Sequence, residues 1–146
     1  MTIDAEVQAL SRVPLFQGLE PSKLRLLAFI SDRMEFQDGE HLCHQGDDGD
    51  SAFVVLSGEV AVFVDENEVA RVGQYAIIGE IAILCDVPRT ATLQSVGTTH
   101  ILAISKDDFL KLIAEFPKVS LEIMRVLALR LEKTTRELAQ ARPAST

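Results

Sequence analysis

The chain has 146 residues, 47% hydrophobic and 25% charged, the proportions of one soluble globular domain large enough for a core. Its formal net charge of −8 argues against general attraction to nucleic acid or to an acidic membrane surface. Two cysteines, Cys43 and Cys85, are too few for a disulfide scaffold or a four-ligand metal cluster, and they point to a reduced, cytoplasmic setting.

In chain order, the N-terminus lacks the positive-then-apolar order of a signal peptide. No apolar run approaches the roughly 20 residues of a membrane helix. Residues 3 to 11 have apolar positions at helical spacing, and Val13-Pro14-Leu15-Phe16 breaks the pattern. Pro21 can open a second helix, with Leu24, Leu27 and Phe29-Ile30 as its apolar face. From Met34 the pattern becomes short β-branched runs punctuated by Gly39, Gly46, Gly49, Gly58 and Gly73. Val54-Val55-Leu56 and Val60 to Val64 flank Ser57-Gly58, which reads as a hairpin turn. Two further strands are expected over Ala91 to Val96 and Ile101 to Ile104. Ser105 with Asp108 three residues on is a capping-box arrangement, followed by Phe109, Leu112 and Ile113 on one helical face. Pro117 starts a last long helix to about Ala141, before Arg142-Pro143-Ala144-Ser145-Thr146. No repeat, low-complexity segment or linker interrupts the chain.

The fold class is mainly β with flanking helices. A single domain, 1–146, is expected: N-terminal helices over about 1–30, an antiparallel β-roll over 31–105, and two C-terminal helices over 106–141.

The stretch Gly79 to Thr92 holds the chemistry. Gly79-Glu80 lets backbone amides approach an anion and starts a short helix, whose free N–H groups suit a phosphate. Arg89, nine residues after Glu80, can return to that place and pair with the phosphate through its planar fork. Glu80 is an acceptor for a ribose hydroxyl. Thr90 and Ala91 are small and leave room. These parts describe a cup for a nucleotide with one cyclised phosphate. Each has a plainer reading: Glu80 as a carboxylate favoured by the helix dipole, Arg89 as a surface arginine, Thr90 as a strand former.

The order Gly-Glu, Ile81-Ala82-Ile83, Pro88-Arg89-Thr90-Ala91-Thr92 resembles the phosphate-binding cassette of cyclic-nucleotide-binding domains. That module is shared by the catabolite activator, the regulatory subunits of cyclic-AMP-dependent kinase and cyclic-nucleotide-gated channels. Upstream, the run from Gly46-Asp47-Asp48-Gly49-Asp50 through Ser57-Gly58-Glu59-Val60-Ala61-Val62 resembles the family's two glycine-punctuated hairpins, and the resemblance runs over roughly 12 to 140. Ile78 stands where many members carry Phe, and Tyr75 where a small residue is common; both read as local packing differences.

The resemblance implies a double-stranded, jelly-roll-like β-roll with the last two helices as hinge and lid. The ligand-binding residues it implies are Gly79, Glu80, Ile81, Ala82, Arg89, Thr90 and Ala91. It also implies Thr134 and Thr135 at the base end. The segment Arg130 to Leu138 is similar to the catabolite activator's dimer helix, where a Thr-Ser pair touches the adenine, partly across the dimer. The plainer reading is two solvated threonines. Cyclic AMP is the expected ligand, with cyclic GMP as the alternative because Thr90 suits both.

Met124, Leu127, Leu131, Thr134 and Leu138 form a coiled-coil-like seam for a homodimer, while Val119, Ile123 and Val126 form a second stripe that can dock to the roll. The stripe can instead pack on its own chain as a monomeric lid. His41 and His44, three apart in a strand, are expected on opposite faces and so not to form a metal pair. Cys85 is expected as a small buried apolar residue.

The function these residues favour is a cyclic-nucleotide receptor module, not an enzyme, without a cofactor. Its expected partners are the nucleotide, a second copy and an effector protein, with no DNA or membrane engaged through this chain. The rival classes are the regulatory half of a catabolite-activator-type transcription factor, a protein-interaction scaffold that has lost its nucleotide, and a redox or gas sensor.

Overall fold

The computed structural model describes residues 2–141; residue 1 and residues 142–146, which the expected domain also spans, lie outside the described residues. Two helices come first, α1 (Ile3–Ser11) and α2 (Pro21–Ile30), joined through a single 3-10 turn at Pro14–Phe16. Then come β1 (Asp32–Phe36), β2 (His41–Cys43), β3 (Ser51–Val64), β4 (Asn67–Val72) and β5 (Ile77–Ile78). The short helix α3 (Glu80–Leu84) leads to β6 (Thr92–Ser105), α4 (Lys106–Glu115) and α5 (Pro117–Ala141). Among the described residues the strands form one antiparallel sheet in the order β1-β6-β3-β4, with β2 added to β6 and β5 to β3. This is the expected roll with flanking helices.

Alternation along the two long strands builds two cores. Ala52, Val54 and Leu56 with Leu102 and Ile104 face the helices, where they meet Phe16, Leu27, Phe109 and Val119. Phe53 and Val55 with Ile101 and Ala103 face the roll interior, where they meet Phe36, Val60, Ile78 and Leu93. Successive side chains of a strand point to opposite faces, so an unbroken apolar run means both faces are covered. Fully burying a side chain such as Phe109 contributes about 1.5–3 kcal/mol, and Phe109 is completely enclosed. Ser105 caps α4, its Oγ accepting from the Asp108 amide at 3.2 Å.

Several expectations are corrected. Ser57-Gly58 is not a hairpin turn: β3 runs through it as one 14-residue strand, with irregular pairing to β6 on both sides. Gly58 takes φ +96, and a Cβ there would lie 2.6 Å from the Thr98 carbonyl oxygen, so the glycine permits a close crossing. The real turn is Asp65-Glu66, both with positive φ, which joins Val64 to Asn67. Gln45 props it, accepting from the Asp65 amide at 2.9 Å. The two strands expected over 91–96 and 101–104 are one, β6. On α2 the buried face is Leu24, Leu27 and Ala28, while Phe29 and Ile30 are exposed.

His41 and His44 do not point to opposite faces. The pairing of β2 shifts register at its end, the strand stops at Cys43, and the two rings meet at 4.6 Å between centroids. Cys85 is exposed because it follows the last turn of α3, outside the roll. No helix among the described residues is long and apolar enough to cross a membrane.

Candidate functional site

Arg89 stands three residues before β6 begins, in a loop clasped to the loop after β2. Its amide donates to the Asp47 carbonyl at 2.7 Å, and Gly46 donates to the Arg89 carbonyl at 2.9 Å. These bonds fix the backbone and drive the side chain inward, where it is 4% exposed. Nη1 donates to the Gly79 carbonyl at 3.1 Å and Nη2 to Ser51 Oγ at 3.4 Å. Asp50, itself in water, lies 3.7 Å from Nη2, and the guanidinium stands 5.0 Å from the Phe53 ring centre. Nε is buried without a partner. A buried cation held mostly by neutral acceptors lacks a full counter-charge, so a desolvated anion beside it is strongly favoured.

Gly79 lies between the arginine and α3. Its φ of +83 is left-handed, and a Cβ would sit 2.6 Å from Arg89 Nη1. Gly49 makes a second close approach: a Cβ there would lie 2.4 Å from that of Ala82. The acidic loop and the cassette helix are therefore in direct contact. With no side-chain cap, the first amides of α3 have no helical acceptor.

Glu80 opens α3 and is 5% exposed. Its Oε1 accepts from Arg130 Nη1 of α5 at 2.9 Å. Arg130 is half-exposed, at 53% of its side chain. A partly solvated pair of this kind contributes about 0–1 kcal/mol, too little to hold α5 alone. The anchor is Val119 and Ile123, both buried against the helix-side core. Arg130 thus closes one side of a site that the apolar docking of α5 has already placed.

These groups ring a cavity of about 320 Å³ with apolar walls from Val62, Val72 and Leu93. Small-molecule sites commonly start near 300 Å³ and have such walls with a few convergent polar groups. Gly79, Glu80, Ile81, Ala82, Arg89, Thr90 and Ala91 all line it. Thr134 and Thr135 do not; they are exposed, one turn of α5 beyond Arg130. Cys43 lines the floor, and burial pushes its thiol above the ordinary range, with Arg89 opposing the shift. No cluster of three metal-ligating side chains occurs among the described residues.

Sequence reasoning missed Arg130, whose signal was its spacing of four from Thr134, which puts both on one helical face. It also missed Ser51 and Phe53 beside the arginine. Their positions are set by β3 pairing, which leaves no local signature.

The family whose description reads "Cyclic nucleotide-binding domain" matches residues 33–116, more than half of the chain. The cyclic AMP receptor protein of Thermus thermophilus is 32% identical over 130 residues, covering 86% of this chain and 60% of that protein. A global transcriptional regulator of Mycobacterium tuberculosis, described as cAMP-activated, is 29% identical over 137 residues, covering 90% of this chain and 61% of the regulator. The crystal structure of the Thermus thermophilus catabolite activator protein superposes with a TM-score of 0.79 at 32% identity, over 87% of this chain and 62% of that one. The chain therefore belongs to the cyclic-nucleotide-binding domain family. It spans about 60% of the length of these two curated relatives.

Proposed function

We propose that the chain is a cytoplasmic receptor module that binds cyclic AMP, and that occupancy is transmitted through α4 and α5. The observation that carries this reading is Arg89: an enclosed guanidinium with an unpartnered Nε, at the wall of an open cavity beside uncapped helix amides. A cyclic phosphate supplies the missing anion. Glu80 takes the ribose hydroxyl on the carboxylate oxygen that Arg130 does not use. The base lies along the apolar wall, with Thr90 near one edge and Thr134 and Thr135 reaching its far end as α5 closes. The likeness to a receptor named for cyclic AMP supports this nucleotide over cyclic GMP. Such a site holds its ligand and does not hydrolyse it. Calorimetric titration with cyclic AMP, cyclic GMP and cyclic di-GMP tests the reading; absence of binding by the first two overturns it.

Glu80→Gln is expected to weaken cyclic AMP binding by about 1–2 kcal/mol, since a charge-assisted bond becomes a neutral one. A 2′-deoxy analogue should lose a similar amount on the parent and little more on the variant. Additive losses would show that Glu80 does not read the ribose.

The partner proposed for α5 is a second copy. Met124, Leu131 and Leu138 are 60%, 67% and 67% exposed, whereas Val119 and Ile123 are buried in the chain's own core. The two expected stripes therefore diverge as a seam and a docking face. Leu127 belongs partly to each, because it packs against the helix-side core. Leu131→Glu with Leu138→Glu should give a monomer that still binds nucleotide. A monomeric mass for the parent by light scattering at tens of micromolar, with and without cyclic AMP, would rule out the dimer. An effector, or a DNA-reading segment beyond this chain, would respond to the repositioned α5.

A further inference from the structure

Tyr75 holds a backbone conformation that tyrosine avoids. Its φ is +71, in the left-handed region where an L side chain crowds its own backbone. A glycine would take this conformation without penalty. The surroundings must therefore over-determine it, and they do so from two sides.

The backbone is held to β3: Tyr75 donates to the Val55 carbonyl at 2.8 Å, and Val55 donates to the Ala76 carbonyl at 2.9 Å. Ala76 closes the turn by donating to the Gly73 carbonyl at 3.2 Å. The ring packs half-buried against the helix-side core, and the Arg12 guanidinium at the end of α1 stands 5.6 Å from its centre. A guanidinium at that distance is attracted to the ring face. Helix α1 is fixed elsewhere as well. The fully buried Glu6 pairs with Arg33 of β1, and Asp4 pairs with Arg25 of α2.

The chain from Tyr75 leads straight to the anion site. Ile77 and Ile78 pair with Val54 and Phe53 of β3, and the next carbonyl, that of Gly79, is the one that Arg89 Nη1 bonds. We infer that Tyr75 is a positioning residue for the nucleotide site: its ring, held between Arg12 and the helix-side core, ties the turn before the cassette to α1. It thereby fixes where the Gly79 carbonyl receives Arg89. The backbone contacts alone would suit glycine. The tyrosine adds a link from the N-terminal helix to the cassette that glycine lacks. The inference rests on the nucleotide reading for its effect on affinity, but its mechanical part stands apart from the ligand.

The test is amide hydrogen exchange, read residue by residue by NMR on the ligand-free protein. Arg12→Ala removes the guanidinium with its aliphatic stem, at the end of a helix remote in sequence from the turn. It is expected to speed exchange from Tyr75 to Gly79 by about two- to fivefold, the worth of one exposed cation–π contact, with the melting temperature nearly unchanged. Tyr75→Phe keeps the ring and should match the parent. Tyr75→Gly relieves the backbone but removes the ring, and should speed exchange at least as much as Arg12→Ala. Cyclic AMP affinity should fall severalfold in Arg12→Ala and in Tyr75→Gly, with no further loss in the double variant.

Unchanged exchange over that turn in Arg12→Ala overturns the inference, as does parent-like affinity in Tyr75→Gly. Fully additive losses in the double variant also overturn it, because they would make the two residues independent. A parent that binds neither cyclic AMP nor cyclic GMP defeats the nucleotide reading alone, and the exchange comparison still decides the mechanical link.

Discussion

Arg89→Ala is expected to cost about 2–5 kcal/mol of cyclic AMP affinity, the usual result of truncating one member of a buried charged pair. In affinity that is about thirtyfold to several thousandfold. The upper part of the range is favoured, because the guanidinium is 4% exposed and would face a bound phosphate with little competing water. Stability should change much less. In the free protein Arg89 is a buried cation with Nε unpartnered, and among the described residues only the Asp50 carboxylate, at 3.7 Å, pairs with it. Removing it deletes two bonds to neutral oxygens but also a desolvation cost. The melting temperature should stay within a few degrees of the parent's, and that split separates ligand recognition from a structural role. Arg89→Lys should also bind weakly, since one ammonium cannot reproduce the fork that spans Gly79 and Ser51. Binding by Arg89→Ala within a few-fold of the parent would remove the arginine from the site.

The same arginine shows how much of the molecule was legible in its sequence. Gly79, Glu80 and Arg89 could be grouped because a short helix and a turn bring them back together within a dozen residues, and local spacing carries that kind of information. The β-rich middle and both C-terminal helices were legible through β-branched runs, the Ser105 cap and Pro117. What failed was punctuation. Ser57-Gly58 has the composition of a turn, yet a positive φ serves equally well where two long strands cross closely, at Thr98. The true turn, Asp65-Glu66, contains no glycine and was invisible for that reason. Its conformation is set by strand twist and by Gln45, twenty residues upstream. Cys85 was misjudged by composition: an apolar residue one position past a five-residue helix has no reason to turn inward.

Arg130 marks a different limit. Fifty residues separate it from Glu80, and the pair exists because Val119 and Ile123 seat α5 against the helix-side core. That contact follows from the docking of a helix, which depends on the whole core. Tyr75 is a third kind of case. In the sequence it departs from a small residue and looks like a packing variation. Its significance lies in a backbone angle and in the Arg12 side chain standing over its ring.

Gly79→Ala is the substitution expected to disable the site with the fewest added atoms. Two effects act together. The backbone at φ +83 is strained for any residue with a Cβ, a cost of about 1–2 kcal/mol for the left-handed region. The added carbon would also lie 2.6 Å from Arg89 Nη1 and 3.3 Å from the Phe53 ring. The arginine is the softer neighbour, because a guanidinium on a flexible stem moves more easily than a ring packed in the roll interior. It should therefore swing away, losing the Gly79 carbonyl and its aim into the cavity. Affinity for cyclic AMP should fall nearly as far as in Arg89→Ala, and the two changes together should cost little more than either alone. Unlike Arg89→Ala, this variant should also lose roughly the strain energy in chemical denaturation, with an unchanged m-value. Gly49→Ala is the matched control. It introduces a comparable clash, 2.4 Å from the Ala82 side chain, with no Arg89 atom among its three nearest contacts. It should lower stability with a smaller effect on binding. Should Gly79→Ala bind cyclic AMP as the parent does, Arg89 would not need the Gly79 carbonyl, and the preorganised arrangement around the phosphate would have to be abandoned.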